Sequence, residues 1–171
     1  MLYMTYKDIK LDYRQILQVL DVAHRDDAMV MIHTENTDAI TLAELIDAPI
    51  LIVHMSGAES IEQIRWTRGK GLNVNALTCP QYLFSNQDDL GTDDSFHGAR
   101  CVCSLPPRDK ANQQVIWDAL ADGLFTVFFS DYAPFNYDNP AGKHVGGKKA
   151  PFAYIPNGSP PHEGTLVAFV F

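Results

Sequence analysis

Short apolar runs that each end in a polar, metal-competent side chain recur along this sequence. Such runs are typical of buried strands. They occupy residues 28–32, 49–53 and 125–130, and they are followed by His33, His54 and Asp131. The carboxyl ends of parallel strands meet at one edge of a sheet, and α/β proteins place their chemistry at that edge. We therefore expect these three side chains to share one rim of the fold.

Segments with helical spacing of apolar residues lie between these runs. Helices are predicted over residues 13–25, 37–46, 59–68 and 109–123, with Asp12, Thr37 and Asp109 as caps. Two further strands are predicted over residues 2–6 and 72–76. This alternation predicts an α/β fold with a parallel sheet of about five strands, outer helices and right-handed crossovers.

The remaining segments indicate loops. Residues 83–98 are polar and irregular, and residues 132–160 are rich in Pro and Gly. The tail at residues 166–171 is strongly apolar, so we expect it to be buried. The interpretation is a single domain over residues 1–171, with a βα core over 1–131 and a loop-rich segment over 132–171.

The length of the chain limits the folds that it can form, and its charge limits the partners that it can bind. The chain has 171 residues, whereas a complete (β/α)8 barrel takes roughly 250, so only a partial TIM-like barrel is expected. A net charge of −8, with short cationic clusters at 65–70 and 143–149, argues against nucleic acid. The sequence has no apolar run long enough to span a bilayer and no basic leader before an apolar stretch. We expect a cytoplasmic protein without a membrane partner.

The three cysteines predict reduced thiols rather than disulfides. Cys79, Cys101 and Cys103 cannot all pair. The spacing of Cys101 and Cys103 places both on one predicted strand with their thiols on opposite faces. A zinc site built on these three alone lacks the usual ligand spacing, so buried free thiols are the prediction.

The residues at the strand ends leave two interpretations open. His33 and His54 could be hydrogen-bonded structural residues, as single histidines at strand ends commonly are. Alternatively, their imidazoles could meet at one metal ion, with the Asp131 carboxylate joining from a third strand end.

Several separate motifs resemble one enzyme family. They occur in the family's order at residues 4–6, 30–36, 52–56, 78–83, 103–104 with 106–109, 130–131 with 134–135, and 155–158. On these motifs the chain is identified as a member of the dihydropyrimidinase and hydantoinase family of cyclic amidohydrolases. The resemblance implies a (β/α)8 barrel with two zinc ions bridged by a carboxylated lysine. A hydroxide between the metals would open a small cyclic amide or imide at a ring C–N bond.

The resemblance also implies roles for individual residues. His33 and His54 resemble the two histidines of one metal. Asp131 resembles the aspartate that binds the other metal and shuttles the proton. Tyr6 resembles the tyrosine that supports the tetrahedral oxyanion, whereas Ser104 and Asn157 resemble the residues that hold the imide ring largely through backbone groups.

The departures from the family are substantial. The family's His-x-His pair is absent from the sequence, and Met1 stands at the position of the bridging lysine. The chain passes from Asn36 directly to residues 37–40, which implies a deleted segment. Tyr132 and Leu105 alter two motifs, and the region of residues 162–165 is also changed. The first barrel strands, the C-terminal helices and the accessory β-domain are expected to be missing.

Three functional interpretations follow from these departures. The first is a reduced hydrolase that holds one zinc ion or none, because a two-metal site is not expected within one chain. The second is an inactive fragment that acts as a binding or scaffold protein. The third is a metal-independent enzyme that uses Asp131, Tyr132 and Tyr6. Since a partial barrel exposes two sheet edges, we expect a homodimer or larger oligomer.

Overall fold

A computed structural model describes residues 11–33, 38–91, 96–133, 135–149 and 154–158. Helices and strands alternate along its first three quarters, and irregular segments dominate the rest. In order, the elements are α1 Tyr13–Arg25, β1 Val30–His33, α2 Asp38–Ile46, β2 Ile50–Val53, α3 Ala58–Gly69, β3 Val74–Thr78, α4 Gln81–Phe84, α5 Lys110–Ala121 and β4 Val127–Phe128. Short 3-10 turns cover Gln87–Leu90, His97–Cys101 and Val145–Gly147.

The strands form one parallel sheet in chain order, β1-β2-β3-β4. Its register aligns Val30 with Ile50, Ile50 with Val74, and Leu77 with Val127. The parallel α/β arrangement predicted from the sequence is confirmed for these four strands. The fifth predicted strand, residues 2–6, lies outside the described residues.

Local signals explain where the helices begin. Asp12 caps α1 by accepting a hydrogen bond from the Gln15 backbone N–H at 2.8 Å, and the Asp12 backbone N–H donates to the Gln15 side-chain oxygen at 2.9 Å. Asp109 caps α5 in the same way, accepting from the Asn112 backbone. Both predicted caps are confirmed, whereas the predicted cap Thr37 lies outside the described residues.

The core lies between the sheet and the helices. All four residues of β2 are buried, as expected for an interior parallel strand, whereas burial alternates along the edge strand β1. The helices contribute apolar side chains that are at most 2 % exposed, namely Leu20, Ile40, Ile61, Ile64 and Ile116. Within the described part of the chain, no helix has the length and apolarity that a bilayer crossing requires.

The segment between β3 and α5 differs from its prediction. Residues 83–98 contain the end of α4 and 3-10 turns rather than an entirely irregular loop. The predicted strand around Cys101 and Cys103 is wrong, because Cys101 ends a 3-10 turn. Tertiary packing accounts for this: a Cβ on Gly98 would lie 1.7 Å from the Leu90 oxygen, so the two turns pack at a distance that only glycine permits.

All three cysteines are free. Cys79 and Cys103 are buried and Cys101 is half-buried. The Cys103 thiol donates to the Leu105 oxygen at 3.3 Å, and burial raises the pKa of Cys103 to about 12. The prediction of free thiols is confirmed, although Cys101 is only partly covered.

Candidate active site at the strand ends

Three neighbouring strand ends bring His33, His54 and Asp131 together. His33 is the last residue of β1, His54 follows β2 directly, and Asp131 lies shortly after β4. The His33 and His54 ring centroids are 4.5 Å apart. The His54 Nδ1 atom lies 3.7 Å from the Asp131 Oδ2 atom. The chain therefore places two imidazoles and a carboxylate at one rim of the sheet.

Burial and nearby charges set the protonation of His54. Its side chain is buried, whereas His33 is exposed and Asp131 is half-buried. Burial lowers the pKa of His54, the Asp131 carboxylate opposes this effect, and His33 adds to it. The balance favours a neutral imidazole, which is the form that can accept a proton or bind a metal.

Both His54 and Asp131 have left-handed backbone conformations. Their φ angles are +58° and +47°. Residues other than glycine rarely adopt such angles, and strained positions cluster at functional sites. These two residues are therefore held at the rim at a conformational cost.

The donor types fit zinc, but the arrangement does not close around an ion. Imidazole nitrogen and carboxylate oxygen are ordinary zinc ligands. Among the described residues, however, no group of three or more His, Cys, Asp or Glu is placed to hold a metal. The Nδ1 atom of His54 instead faces the Cys79 sulfur at 3.2 Å as well as Asp131. The predicted ligands are thus neighbours rather than a formed metal centre.

Cys79 is a site neighbour that the sequence prediction treated only as a buried thiol. It follows β3 directly, just as His54 follows β2, so the strand-end rule could have identified it. Burial raises the pKa of Cys79 strongly, which keeps the thiol protonated near neutral pH. A protonated thiol next to His54 acts as a hydrogen-bonding neighbour rather than as a thiolate ligand.

The two segments predicted to hold substrate are joined to each other and to the rim. The Gly158 backbone donates to the Val102 oxygen at 3.1 Å, which brings together the segments that carry Asn157 and Ser104. A Cβ on Gly158 would lie 2.1 Å from the Ala133 oxygen, so this segment also packs on the chain just after Asp131. Ser104 and Asn157 are each half-buried.

Tyr82 connects the Ser104 segment to the end of β3. Its hydroxyl donates to the Leu105 oxygen at 2.9 Å, and the side chain is 1 % exposed. The peptide bond between Ser104 and Leu105 is cis. Cys79 follows β3 and Tyr82 lies in α4 shortly after it, so one stretch of chain contacts both His54 and the Ser104 segment. Tyr6, the predicted oxyanion-supporting residue, lies outside the described residues.

Lys143 is a second residue that the sequence prediction missed. It belongs to the short cationic cluster at residues 143–149, yet its side chain is only 2 % exposed. Its ammonium donates to the backbone oxygens of Val102, Pro156 and Gly158. A lysine in a loop rich in Gly carries no local signal of burial, because its acceptors lie on other segments.

The chain was compared with known proteins. No protein-family model matches it. The D-hydantoinase of Rhizobium radiobacter is 30 % identical over 201 aligned positions, which cover 96 % of this chain and 43 % of that enzyme. The D-hydantoinase of Geobacillus stearothermophilus is 32 % identical, over 92 % of this chain and 40 % of that enzyme. The chain thus spans less than half the length of these relatives.

Solved structures agree with the sequence matches. The dihydropyrimidinase of Brevibacillus agri has a TM-score of 0.82 and 32 % identity over 94 % of this chain and 41 % of its own. A D-hydantoinase from a Bacillus species also scores 0.82, at 30 % identity over 94 % of this chain and 42 % of its own. The 201-position alignment with the Rhizobium enzyme is longer than this 171-residue chain, so that relative has additional residues inside the matched region. Over the region that it spans, the chain is similar in sequence and in fold to hydantoinases and dihydropyrimidinases.

Proposed function

We propose that this chain forms part of a hydrolase that opens a small cyclic amide or imide at a ring C–N bond. The observation that carries this proposal is the meeting of the His33, His54 and Asp131 strand ends beside the joined Ser104 and Asn157 segments. A ring substrate placed there would have titratable groups on one side and backbone hydrogen-bonding groups on the other. The names of the matched relatives, hydantoinase and dihydropyrimidinase, support the same substrate class.

In this proposal, Asp131 is the catalytic acid and base. Its carboxylate is half-buried and lies beside the imidazole of His54, so a proton can be held and transferred at that oxygen. Ser104 and Asn157 hold the ring, and Tyr6 supplies a hydroxyl that stabilises developing negative charge on the carbonyl oxygen. These assignments rest on position in the family motifs and on the contacts between the segments.

We also propose that His33, His54 and Asp131 are the ligands of one zinc ion. Their donor chemistry supports this assignment, and the lowered pKa of His54 favours the neutral imidazole that a metal requires. A bound zinc ion would supply Lewis acidity at the carbonyl. The His-x-His pair and the bridging lysine of the family do not occur in this sequence, so a two-metal site within one chain is not part of the proposal.

For the fold, we propose a single domain that corresponds to part of a TIM-like barrel, with about five strands and outer helices. The parallel sheet and the TM-score of 0.82 against a dihydropyrimidinase support this proposal. Exposed apolar residues on the outer strands support a homodimer or larger oligomer: Met31 on β1 is 64 % exposed and Phe129, after β4, is 51 % exposed. Light scattering that gives a stable monomer mass would contradict the oligomer.

Zinc stoichiometry tests the ligand assignment. We expect about one zinc per purified chain, loss of that zinc in His33→Ala, and no loss in the control His24→Ala, whose histidine is exposed at the end of α1. Equal zinc content in both variants would refute the assignment of His33. A wild-type chain that binds no zinc and turns over neither hydantoin nor dihydrouracil would refute the hydrolase and favour the binding or scaffold function.

A further inference from the structure

The Lys143 ammonium is buried among backbone carbonyls. Its Nζ atom lies 3.1 Å from the Val102 oxygen, 2.6 Å from the Pro156 oxygen and 2.8 Å from the Gly158 oxygen. An ammonium has three N–H donors and no acceptor. The three carbonyls therefore match its complete donor set.

These acceptors lie on both segments that carry proposed substrate-holding residues. Val102 precedes Ser104 by two positions, and Pro156 and Gly158 flank Asn157 on either side. The Val102 oxygen also accepts from the Gly158 backbone at 3.1 Å. Lys143 therefore reinforces a direct contact between the Ser104 and Asn157 segments.

The backbone around Lys143 fixes where its side chain begins. The Lys143 amide donates to the Asn136 oxygen at 3.1 Å, and a Cβ on Gly142 would lie 1.9 Å from the same oxygen. This tight turn leaves no space for a side chain at position 142. The backbone position from which the Lys143 side chain extends is therefore fixed relative to Asn136.

Burial of a charge is costly unless its hydrogen bonds are made. Burial lowers the pKa of Lys143 to about 8, so the amine is still mostly protonated at neutral pH. An apolar side chain of similar length would avoid the cost of burying a charge, but it would leave the Pro156 and Gly158 carbonyl oxygens without this donor. The arrangement of acceptors indicates that the charge serves to orient the carbonyl groups of these two segments.

We propose that Lys143 is a positioning residue that fixes the Ser104 and Asn157 segments relative to each other for ring binding. This inference rests on the proposed function for the identity of the bound ring. Lys143 acts through the backbone of the two segments and takes no part in proton transfer.

Kinetics and hydrogen exchange on the full chain test this role. Lys143→Met should raise KM for hydantoin about tenfold with little change in kcat, because uniform binding is lost. It should also speed exchange of the Gly158 amide at least tenfold. The control Lys148→Met, which removes an exposed lysine of the same segment, should change neither quantity. Unchanged Gly158 exchange in Lys143→Met would overturn the proposal.

The two readouts separate failure of this inference from failure of the proposed function. If the wild-type chain turns over no ring substrate but Gly158 exchange still rises in Lys143→Met, the positioning role stands and the hydrolase does not. If turnover is present and Lys143→Met lowers kcat at constant KM, the positioning role is overturned.

A measurement on the wild-type chain covers the case in which Lys143→Met does not fold. Labelling by a bulky amine-reactive reagent at neutral pH, followed by mass spectrometry, should be at least tenfold slower at Lys143 than at Lys148. The lowered pKa of Lys143 leaves more neutral amine, but its side chain is only 2 % exposed and excludes the reagent. Equal rates at the two lysines would show that the Lys143 ammonium is not buried, and would overturn the proposal.

Discussion

The Nδ1 atom of His54 lies 3.7 Å from the Asp131 carboxylate and 3.2 Å from the Cys79 sulfur. These three residues follow three different strands of one parallel sheet. The relationship joins the ends of β2, β3 and β4, and the ring of His33 at the end of β1 completes the row, with its centroid 4.5 Å from that of His54.

This arrangement predicts opposite shifts in the pKa of His54 when its neighbours are changed. Asp131→Asn should lower the pKa further, because the carboxylate that stabilises the imidazolium is removed. His33→Ala should raise it, because a like charge is removed. Proton NMR titration of zinc-free protein measures both shifts, with His24→Ala as a control that leaves the pKa unchanged. Shifts of the same sign in the two variants would contradict this electrostatic account.

Shortening a buried side chain of β2 should cause a large loss of stability. Ile52 is 1 % exposed on a strand that is buried along its full length. Ile52→Ala should lower the free energy of unfolding by about 3 kcal/mol, through lost transfer energy and the cavity left behind. The control Leu45→Ala, at a position that is 74 % exposed, should change it by no more than about 0.5 kcal/mol. Urea unfolding measures both, and equal effects would refute this packing.

Two glycines predict opposite responses to alanine. A Cβ on Gly158 would lie 2.1 Å from the Ala133 oxygen, so Gly158→Ala should lower the free energy of unfolding by about 1–3 kcal/mol. Gly69 ends α3 with no atom within 4 Å of an added Cβ. Gly69→Ala should therefore raise stability by about 0.5–1 kcal/mol. Thermal or urea unfolding in which Gly158→Ala proved neutral would contradict the packing of residue 158 on residue 133.

The lowered pKa of Lys143 predicts that the free energy of unfolding rises as the pH becomes alkaline. Its pKa is about 8 in the folded chain and 10.5 as the reference value, so between these values the unfolded chain binds more protons. The free energy of unfolding should therefore increase from pH 7.5 to 10, by about 2–3 kcal/mol more in wild type than in Lys143→Met. Cys101 and Cys103 are the titratable groups that act on this amine, and they are common to both proteins. If urea unfolding gave the same pH dependence for wild type and Lys143→Met, the buried ammonium would be contradicted.

The sequence predicts the structure correctly where that structure depends on residues close together in the chain. The bounds of α1 match their prediction because Asp12 and Gln15 form a local capping box. The strand order follows chain order. One helix joins β1 to β2 and one joins β2 to β3, whereas the connection from β3 to β4 contains α4, the 3-10 turns at Gln87–Leu90 and His97–Cys101, and α5. The meeting of His33, His54 and Asp131 at one rim follows from the same geometry.

The sequence was insufficient where distant segments decide the structure. The sequence predicts a strand around Cys101 and Cys103, but Cys101 ends a 3-10 turn in which Gly98 closely approaches Leu90. The sequence identifies Lys143 only as part of a short cationic cluster, because the carbonyls that accept its hydrogen bonds lie up to 41 positions away. No local pattern encodes either contact.

Hydrolysis of hydantoin and dihydrouracil by the purified full chain, with zinc and then with a chelator, tests the central proposal most directly. We predict ring opening in the presence of zinc that is lost with the chelator, in His33→Ala and in Asp131→Asn, and retained in His24→Ala. Absence of turnover in zinc-supplied wild-type protein, or turnover that survives the chelator, would contradict it.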